Sequence, residues 1–297
     1  MRWKGRRRSS NVEDRRGQSA GIGAGSGSGL LSFIPMLVRS KTGRIILLVG
    51  VVVFFGGRMM GIDLLPLLLG GGGGTVSSEP RELTAQEIEM GEFVSAVLAD
   101  TEDTWQAIFQ QQGGTYKEPT LVLFSNRVNS ACGMASAAVG PFYCPADQKL
   151  YVDLSFFQDL INRHGAPGDF AQADVIAHEV GHHVQTLMGI SSQVRKAQQG
   201  ISKAQANALS VKQELQADCF AGLWGHAANT ERQILDPGDL EEALTAASAI
   251  GDDRLQRESG RGVVPDSFTH GTSAQRVEWF RRGFESGDLA ACDTFAR

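Results

Sequence analysis

Residues 174–188 read DVIAHEVGHHVQTLM, and this stretch decides the fold of the chain. It places His178, Glu179 and His182 in an H-E-x-x-H pattern, inside a run from Asp169 to Met188 that is predicted to be helical. Residues four apart lie about 40° apart around a helix, so both imidazoles can reach one tetrahedral metal ion. Glu179 is turned by about 100° from His178, which suits a general base beside a metal-activated water.

A zinc site of this kind needs a third protein ligand. The version of the motif that uses a third histidine would place Gly at 185 and His at 188, where this chain has Gln185 and Met188. A glutamate on a later helix is the alternative, and ELQAD at 214–218 supplies Glu214 with Asp218 one turn later. We expect Glu214 to bind the metal and Asp218 to hydrogen-bond a ligand histidine, although most such pairs are ordinary solvated charges.

A polar turn near the C-terminus supplies two further candidates. His270 lies in FTHGTS at 268–273, and this turn opens a predicted helix that carries Arg276. A loop histidine and an arginine after the third ligand could stabilise a tetrahedral oxyanion. An N-cap at Thr272 or Ser273 beside a surface histidine would produce the same sequence. Spacing alone leaves both interpretations open.

The remaining pattern indicates an α+β domain that is mostly helical with a small sheet. A capping box at Thr84 and Glu87 opens the first predicted helix, which ends at Gly113. Gly181, between the two histidines of the motif, would let another backbone approach closely. Strands are expected at Thr120–Ser125 and Lys149–Leu154, and helices at roughly 155–163, 169–188, 192–229, 238–255 and 272–285.

Four cysteines, Cys132, Cys144, Cys219 and Cys292, are an even number that is compatible with disulfides. Cys132 and Cys144 would close a short loop, which would leave Cys219 with Cys292. Three connectivities are possible, and the spacing does not choose among them. A zinc site made of all four cysteines is disfavoured because the chain has no C-x2-C pair.

The charge is unevenly distributed along the chain. Residues 1–58 hold 11 Lys/Arg and 2 Asp/Glu, so of the net charge of −5 they contribute +9 and the rest contributes −14. A basic tail is typical of nucleic-acid binding, but the folded part is acidic, so we expect no nucleic-acid partner. An uncharged stretch, IILLVGVVVFFGG at 45–57, follows the basic residues and predicts one transmembrane helix when it is extended to Leu65.

The predicted organisation therefore has four parts. A basic, Gly/Ser-rich disordered cytoplasmic segment covers 1–43, a transmembrane segment 44–66, a linker 67–80 and the catalytic domain 81–297. A signal peptide is the alternative, but the basic region is unusually long for one. The Lys/Arg excess before the span predicts a single-pass membrane protein with its N-terminus in the cytoplasm, its domain in the periplasm or exterior, and membrane lipid as a partner of the anchor.

Four blocks resemble the bacterial neutral zinc metallopeptidases: MRWKGRRRSSNVEDRRG at 1–17, HEVGHHVQ at 178–185, ELQADCFAG at 214–222 and FTHGTSAQRVEWF at 268–280. The resemblance runs from residue 1 to the C-terminus. It implies a zincin-like domain, one N-terminal membrane segment and one zinc ion per chain held by His178, His182 and Glu214. Two histidines and a carboxylate also favour zinc over calcium or magnesium.

The H-E-x-x-H pattern with a distant E-x-x-x-D is also similar to the wider glutamate-zincins, in which a downstream histidine aids the transition state. By that analogy the role falls to His270, and the strand at Lys149–Leu154 would pair with an extended substrate. The expected activity is hydrolysis of peptide bonds in peptides or proteins, with Glu179 as general base. The alternative is a membrane-anchored zinc-binding or chaperone-like domain with little or no catalytic activity.

Overall fold

Helices dominate the chain in the computed structural model, which describes residues 1–17, 82–260 and 262–296. The helices are α1 Ala85–Gln111, α2 Ser155–Asn162, α3 Asp169–Leu187, α4 Ile190–Ala197, α5 Lys203–Thr230, α6 Asp239–Ala249, α7 Asp252–Glu258 and α8 Ser273–Ser286. The strands are β1 Val12–Asp14, β2 Thr120–Phe124, β3 Arg127–Ser130, β4 Gly133–Ser136, β5 Phe142–Cys144 and β6 Lys149–Asp153. This is the mostly helical α+β arrangement with small sheets that the sequence pattern predicts.

The main sheet has the strand order β1-β2-β6-β5, and β3 and β4 form a separate hairpin. β1 and β6 both run parallel to β2, while β5 runs antiparallel to β6. β6 therefore has a strand on each side, and its residues Lys149–Tyr151 are paired on both sides. The expectation that this strand accepts an extended substrate is wrong for that reason; β5 lies at the edge instead.

Residues 1–17 are folded onto the helices. Trp3 is buried, and its ring packs edge-on against Phe93 with the ring centroids 5.5 Å apart. The N-terminal ammonium lies 2.7 Å from the carboxylate of Asp169, the first residue of α3. Arg7 lies 2.9 Å from the buried Glu102 of α1. The prediction of a disordered segment over 1–43 is thus wrong for residues 1–17, whose basic side chains neutralise acidic ones.

The predicted transmembrane helix and single-pass localisation are also wrong. Within the ranges that the structure describes, no helix is long and apolar enough to cross a membrane. The segment predicted at 44–66 lies outside those ranges. Met1–Gly17 and Glu82–Arg297 form one compact unit, so the N-terminus and the rest of this unit cannot lie on opposite sides of a membrane.

Helix α3 is buried along most of its length, because α1, α5, α6 and the sheet all pack against it. The α5 and α8 backbones also approach closely, which two glycines allow. A Cβ on Gly222 would overlap the carbonyl oxygen of Phe280, and one on Gly283 would overlap that of Cys219. This close contact sets the polar side chains of α8 directly against those of α5.

Two predicted helices are divided in the structure. The predicted helix over 192–229 becomes α4 and α5, because Gly200 between them adopts a left-handed conformation with φ of 77°. The predicted helix over 238–255 becomes α6 and α7, separated at Gly251, where a Cβ would overlap the backbone of Ser273. The predicted capping box of Thr84 and Glu87 is confirmed at the start of α1.

Two disulfides join Cys132 to Cys144 and Cys219 to Cys292. This is one of the three connectivities that the sequence allows. The second disulfide joins residues 73 apart and fixes the C-terminal turn Leu289–Cys292 against α5. It therefore holds the end of the chain against the helix that carries Glu214 and Asp218.

Candidate metal centre

The structure brings His178, His182 and Glu214 together from two helices. The Nε2 atom of His178 lies 3.3 Å from Oε2 of Glu214, and Nε2 of His182 lies 3.4 Å from the same oxygen. Potential ligand atoms of the three side chains all lie within 4.8 Å of one another. Ligands bound tetrahedrally at 2.0–2.1 Å are about 3.3–3.4 Å apart. The donor set and the two histidine–glutamate distances therefore fit a zinc ion.

Gly181 allows the two ligand-bearing helices to come this close. A Cβ at this position would lie 3.1 Å from the carbonyl oxygen of Ala217 and 3.3 Å from its Cβ, on α5. Even an alanine here would press on Ala217 of α5, which would have to move by a few tenths of an ångström. The prediction of a close backbone approach at Gly181 is confirmed.

Behind His178 lies a buried chain of charged groups. Nδ1 of His178 is 2.8 Å from Oδ1 of Asp218, which leaves Nε2 directed toward the other ligand atoms. Arg276 donates from Nη2 to Oδ1 at 2.6 Å and from Nε to Oδ2 of Asp218 at 2.9 Å. Both Asp218 and Arg276 are at most 3% exposed. The expected contact between Asp218 and a ligand histidine is present.

The position of Arg276 differs from the one that an oxyanion donor would need. Its guanidinium is directed into the interior, where it binds Asp218 and reaches the carbonyl of Ile250 at 3.4 Å. An oxyanion donor has to face the open side of the metal position. The prediction that Arg276 stabilises an oxyanion therefore lacks geometric support; the residue fixes the carboxylate that orients His178.

His182 has its own supporting residue, which the sequence analysis did not identify. Its Nδ1 lies 2.9 Å from Oε1 of Gln185, whose amide donates to the carbonyl of Gln213 at 2.7 Å and to Oε1 of Gln216 at 3.1 Å. Gln216 in turn donates to the carbonyl of Cys292 at 3.0 Å. The spacing of three residues between His182 and Gln185 on a buried helix is the signal that could have revealed this contact.

Opposite charges stabilise the ionised forms of the ligand side chains. Burial lowers the pKa of His178, but the charge and hydrogen bond of Asp218 and the hydrogen bond of Glu214 outweigh it and raise the pKa to about 10. The pKa of His182 is likewise raised, because the charge of Glu214 outweighs burial. Burial raises the pKa of Glu214, but the two histidines hold it well below its ordinary value. A divalent cation can replace the protons that this cluster holds.

One further buried acid lies one turn before His178 on α3. Burial and the neighbouring charge of Asp218 raise the pKa of Asp174 to about 7. A carboxyl group with this pKa is partly protonated at neutral pH. Asp174 is therefore a weaker source of negative charge at the site than Asp218.

Glu179 lies on the ligand helix between the two histidines and is 9% exposed. The negative charge of Glu179 is one of the causes that raise the pKa of His182. No hydrogen bond in the described part of the chain engages this carboxylate. Glu179 therefore lies on the same helix as both candidate histidine ligands, with a carboxylate that no described group engages.

His270 lies in a turn that is organised around Asp252. The backbone N–H groups of Thr269, His270 and Gly271 donate to Oδ2 of Asp252 at 2.7, 2.6 and 3.0 Å. The hydrogen bond with Asp252 raises the pKa of His270 against burial, and the charge of Glu214 adds to it. The side chain is 51% exposed. Thr272 forms a capping box at the start of α8, so the predicted N-cap is present, and a cap at this position is compatible with either interpretation of His270.

His183, adjacent to the ligand His182, has a structural position. It is fully buried, with Nε2 donating to the carbonyl of Lys117 at 2.6 Å and Nδ1 lying 3.2 Å from the hydroxyl of Tyr143. Burial lowers its pKa to about 4 and keeps it neutral. The contact fixes the β5 edge strand, which carries Tyr143, against the ligand helix.

A pocket of about 260 Å³ opens beside His182 and Glu214. Its walls come from β5 and the residues after it, α3, α4 and α5. The other lining residues are Tyr143, Pro145, Thr186, Ser191, Arg195, Gln198 and Gln213. No local sequence pattern indicates this pocket, because four separate elements build it.

Two histidines of an H-E-x-x-H helix, a glutamate of a second helix and an aspartate behind the first histidine form a donor set of the kind that holds zinc in proteins. The chain belongs to the neutral zinc metallopeptidases. The family model described as "Putative neutral zinc metallopeptidase" matches residues 1–295.

Related proteins are similar along much or all of their length. The chain is 51% identical over 297 residues to "Uncharacterized protein YpfJ" of Escherichia coli, which covers 100% of this chain and 99% of that protein. It is 42% identical over 214 residues to "Uncharacterized protein Mb2605" of Mycobacterium bovis, which covers 69% of this chain and 71% of that protein. No solved structure matches the chain. These comparisons give the family and name no substrate.

Proposed function

We propose that this chain is a zinc-dependent endopeptidase that binds one zinc ion and hydrolyses internal peptide bonds in peptides or proteins. The observation that carries the proposal is the convergence of His178, His182 and Glu214 at distances that fit tetrahedral zinc. A purely structural zinc site is normally closed by four protein ligands, whereas a catalytic one keeps an open position. Two of the three candidate ligands, His182 and Glu214, line an open pocket, and Glu179 between the two histidines has no hydrogen-bond partner among the described residues.

Each residue of the centre has a defined task in this proposal. His178, His182 and Glu214 hold the ion, and Asp218 fixes the ring orientation of His178. Zinc, when bound, supplies Lewis acidity that activates water and polarises the scissile carbonyl. Glu179 takes the proton from the attacking water and delivers it to the leaving amine. His270, whose pKa Asp252 raises, donates a hydrogen bond to the negative charge that develops on the carbonyl oxygen.

The edge of the sheet indicates where a substrate would lie. β5 pairs with β6 on one side, and no strand of the described ranges pairs with its other side. A strand edge of this kind can bind an extended peptide through backbone hydrogen bonds. Tyr143 of β5 also lines the pocket that contains His182 and Glu214. A peptide along β5 would therefore pass the metal position.

The test measures bound metal and casein cleavage on the full chain and three variants. Metal content is determined by mass spectrometry for the wild type, Glu179→Gln, Glu214→Ala and the exposed control Glu241→Gln. We expect one zinc ion and cleavage for the wild type and the control. Glu179→Gln should keep its zinc and lose at least about 100-fold in rate, because it removes the general base. Glu214→Ala should lose both.

Two results would contradict the proposal in different ways. A wild-type chain that binds zinc but cleaves neither casein nor a peptide mixture would be a zinc-binding domain without peptidase activity. A wild-type chain that binds no zinc would remove the basis for the centre itself. Glu179→Gln with wild-type cleavage would refute the assignment of the base alone.

A further inference from the structure

We propose that the pocket beside His182 and Glu214 is a substrate subsite that binds a carboxylate group of the peptide through Arg195. This inference rests on the proposed peptidase function and adds a substrate preference to it. The pocket directly adjoins two candidate metal ligands, so a side chain bound there would belong to a residue close to the cleaved bond. Its volume of about 260 Å³ is large enough to admit one side chain.

Internal hydrogen bonds already satisfy several polar groups on the pocket wall. The hydroxyls of Thr186 and Ser191 lie 3.3 Å apart, and Gln213 donates to Ser191 at 3.3 Å. Gln198 donates to the hydroxyl of Ser210 at 2.9 Å and to a backbone carbonyl of α5 at 3.0 Å. The wall is thus held in place before a ligand arrives.

Arg195 is the charged side chain of the wall that lies outside the metal centre. Among the described residues, no carboxylate or carbonyl is hydrogen-bonded or ion-paired to its guanidinium, whereas Arg276 and Arg232 are each bound to a buried aspartate. A guanidinium has paired N–H donors whose geometry matches a carboxylate. The compact unit of residues 1–17 and 82–297 holds 23 Lys/Arg and 31 Asp/Glu, a net charge of −8, so its overall field would repel an acidic peptide. A preference for acidic substrates would therefore have to come from a local cation such as Arg195.

The carboxylate could come from an Asp or Glu side chain or from the C-terminus of a peptide. Alanine-based eight-residue peptides that carry a single Glu, Gln or Lys at each position distinguish side-chain recognition. The same peptides with free and amidated C-termini distinguish terminal recognition. Cleavage is measured with the zinc-loaded full chain as wild type, Arg195→Ala and Arg195→Glu. Lys196→Ala is the matched control, because Lys196 is the adjacent exposed cation and does not line the pocket.

At one position of the peptide we expect a ratio of kcat/KM of roughly ten, either between the Glu and Gln peptides or between the peptides with free and amidated C-termini. A charge-assisted hydrogen bond in a partly open pocket would give a ratio of this size. Arg195→Ala should abolish this ratio, Arg195→Glu should favour Lys, and Lys196→Ala should keep the wild-type ratio. A wild-type ratio near one at every position, or the same ratio in Arg195→Ala, would overturn the inference.

Measurements of peptide binding distinguish a failure of this inference from a failure of the peptidase proposal. If the wild type cleaves neither casein nor any of these peptides, the peptidase proposal fails, and the dissociation constants of fluorescent Glu and Gln peptides then decide the subsite. Tighter binding of the Glu peptide that Arg195→Ala removes would support the carboxylate site. Equal dissociation constants for the two peptides would overturn it.

Discussion

Asp218→Asn is expected to weaken zinc binding while leaving all three metal ligands in place. Asp218 accepts from His178 at 2.8 Å and from Arg276 at 2.6 and 2.9 Å. Asparagine has nearly the same shape, but it carries no charge and offers one acceptor oxygen to two sets of donors. The ring of His178 loses its fixed orientation, and Arg276 remains buried without a counter-charge.

The magnitudes of the two losses differ. Loss of a carboxylate that orients a metal-bound histidine typically costs about 10–100-fold in affinity, or about 1.4–2.8 kcal/mol. Loss of one partner of a buried ion pair costs about 3–5 kcal/mol of folding stability. The double variant Asp218→Asn with Arg276→Met removes the uncompensated charge. It should recover most of the stability of the metal-free chain but not the zinc affinity.

The assay combines zinc competition against a chromophoric chelator with urea unfolding of the metal-free chain. Asp174→Asn is the matched control, because Asp174 is a buried acid near His178 that is already partly protonated; its zinc affinity should stay within about threefold of the wild type. Wild-type zinc affinity in Asp218→Asn would refute the orienting role. Full recovery of affinity in the double variant would show that Asp218 acts on stability alone.

Three further predictions concern pH, the loop histidine and helix packing. Because the pKa of His178 is raised above its unfolded value, its contribution to the stability of the metal-free chain is complete below about pH 6.5 and is lost as the pH rises through about 10. Zinc has to displace this proton, so the zinc affinity measured by chelator competition should increase with pH. A zinc affinity that does not change with pH would contradict the assignment of His178 as a ligand. His270→Ala should lower kcat by about 10–100-fold with little change in KM. Asp252→Asn should move the alkaline limb of the pH profile of kcat to lower pH, because Asp252 raises the pKa of His270. An alkaline limb that does not move would exclude His270 as the oxyanion donor. In urea unfolding, Gly222→Ala should lower the free energy of unfolding by about 1–3 kcal/mol or more, because the new Cβ overlaps α8. Gly262→Ala, at a position with open space, should change the free energy of unfolding little. Equal effects of the two substitutions would exclude the close packing of α5 against α8.

Local patterns predicted the helices and the metal ligands. The spacing of His178 and His182 is a property of one helix, and Glu214 follows from the need for a third ligand. The breaks near Gly200 and Gly251 were missed, because each depends on contacts or turns that helical periodicity does not record. The ligand geometry therefore follows from the sequence, while the exact division of the helices does not.

Long-range pairing explains the larger errors. Val12–Asp14 is too short to be recognised as a strand, and its partner Leu121–Leu123 is more than 100 residues away. The basic residues around it were interpreted as a membrane signal, yet Arg8 lies 2.8 Å from Glu92 on α1. Arg276 was assigned to an oxyanion because it follows His270 in sequence. Its direction depends on the contact between α5 and α8, which the sequence does not reveal.

The position of the first residues in the fold has a consequence for biosynthesis. β1 cannot form until Leu121–Leu123 has been made, and the guanidinium of Arg2 binds the carbonyl of Leu235 at 2.7 Å. At roughly 5–20 residues per second, a ribosome needs about 12–47 seconds to reach residue 235. The contact of Arg2 with Leu235 cannot form during this interval, although Phe93, against which Trp3 packs, is made early. The loop that this contact closes spans most of the chain. The segment that is synthesised first therefore completes its contacts among the last.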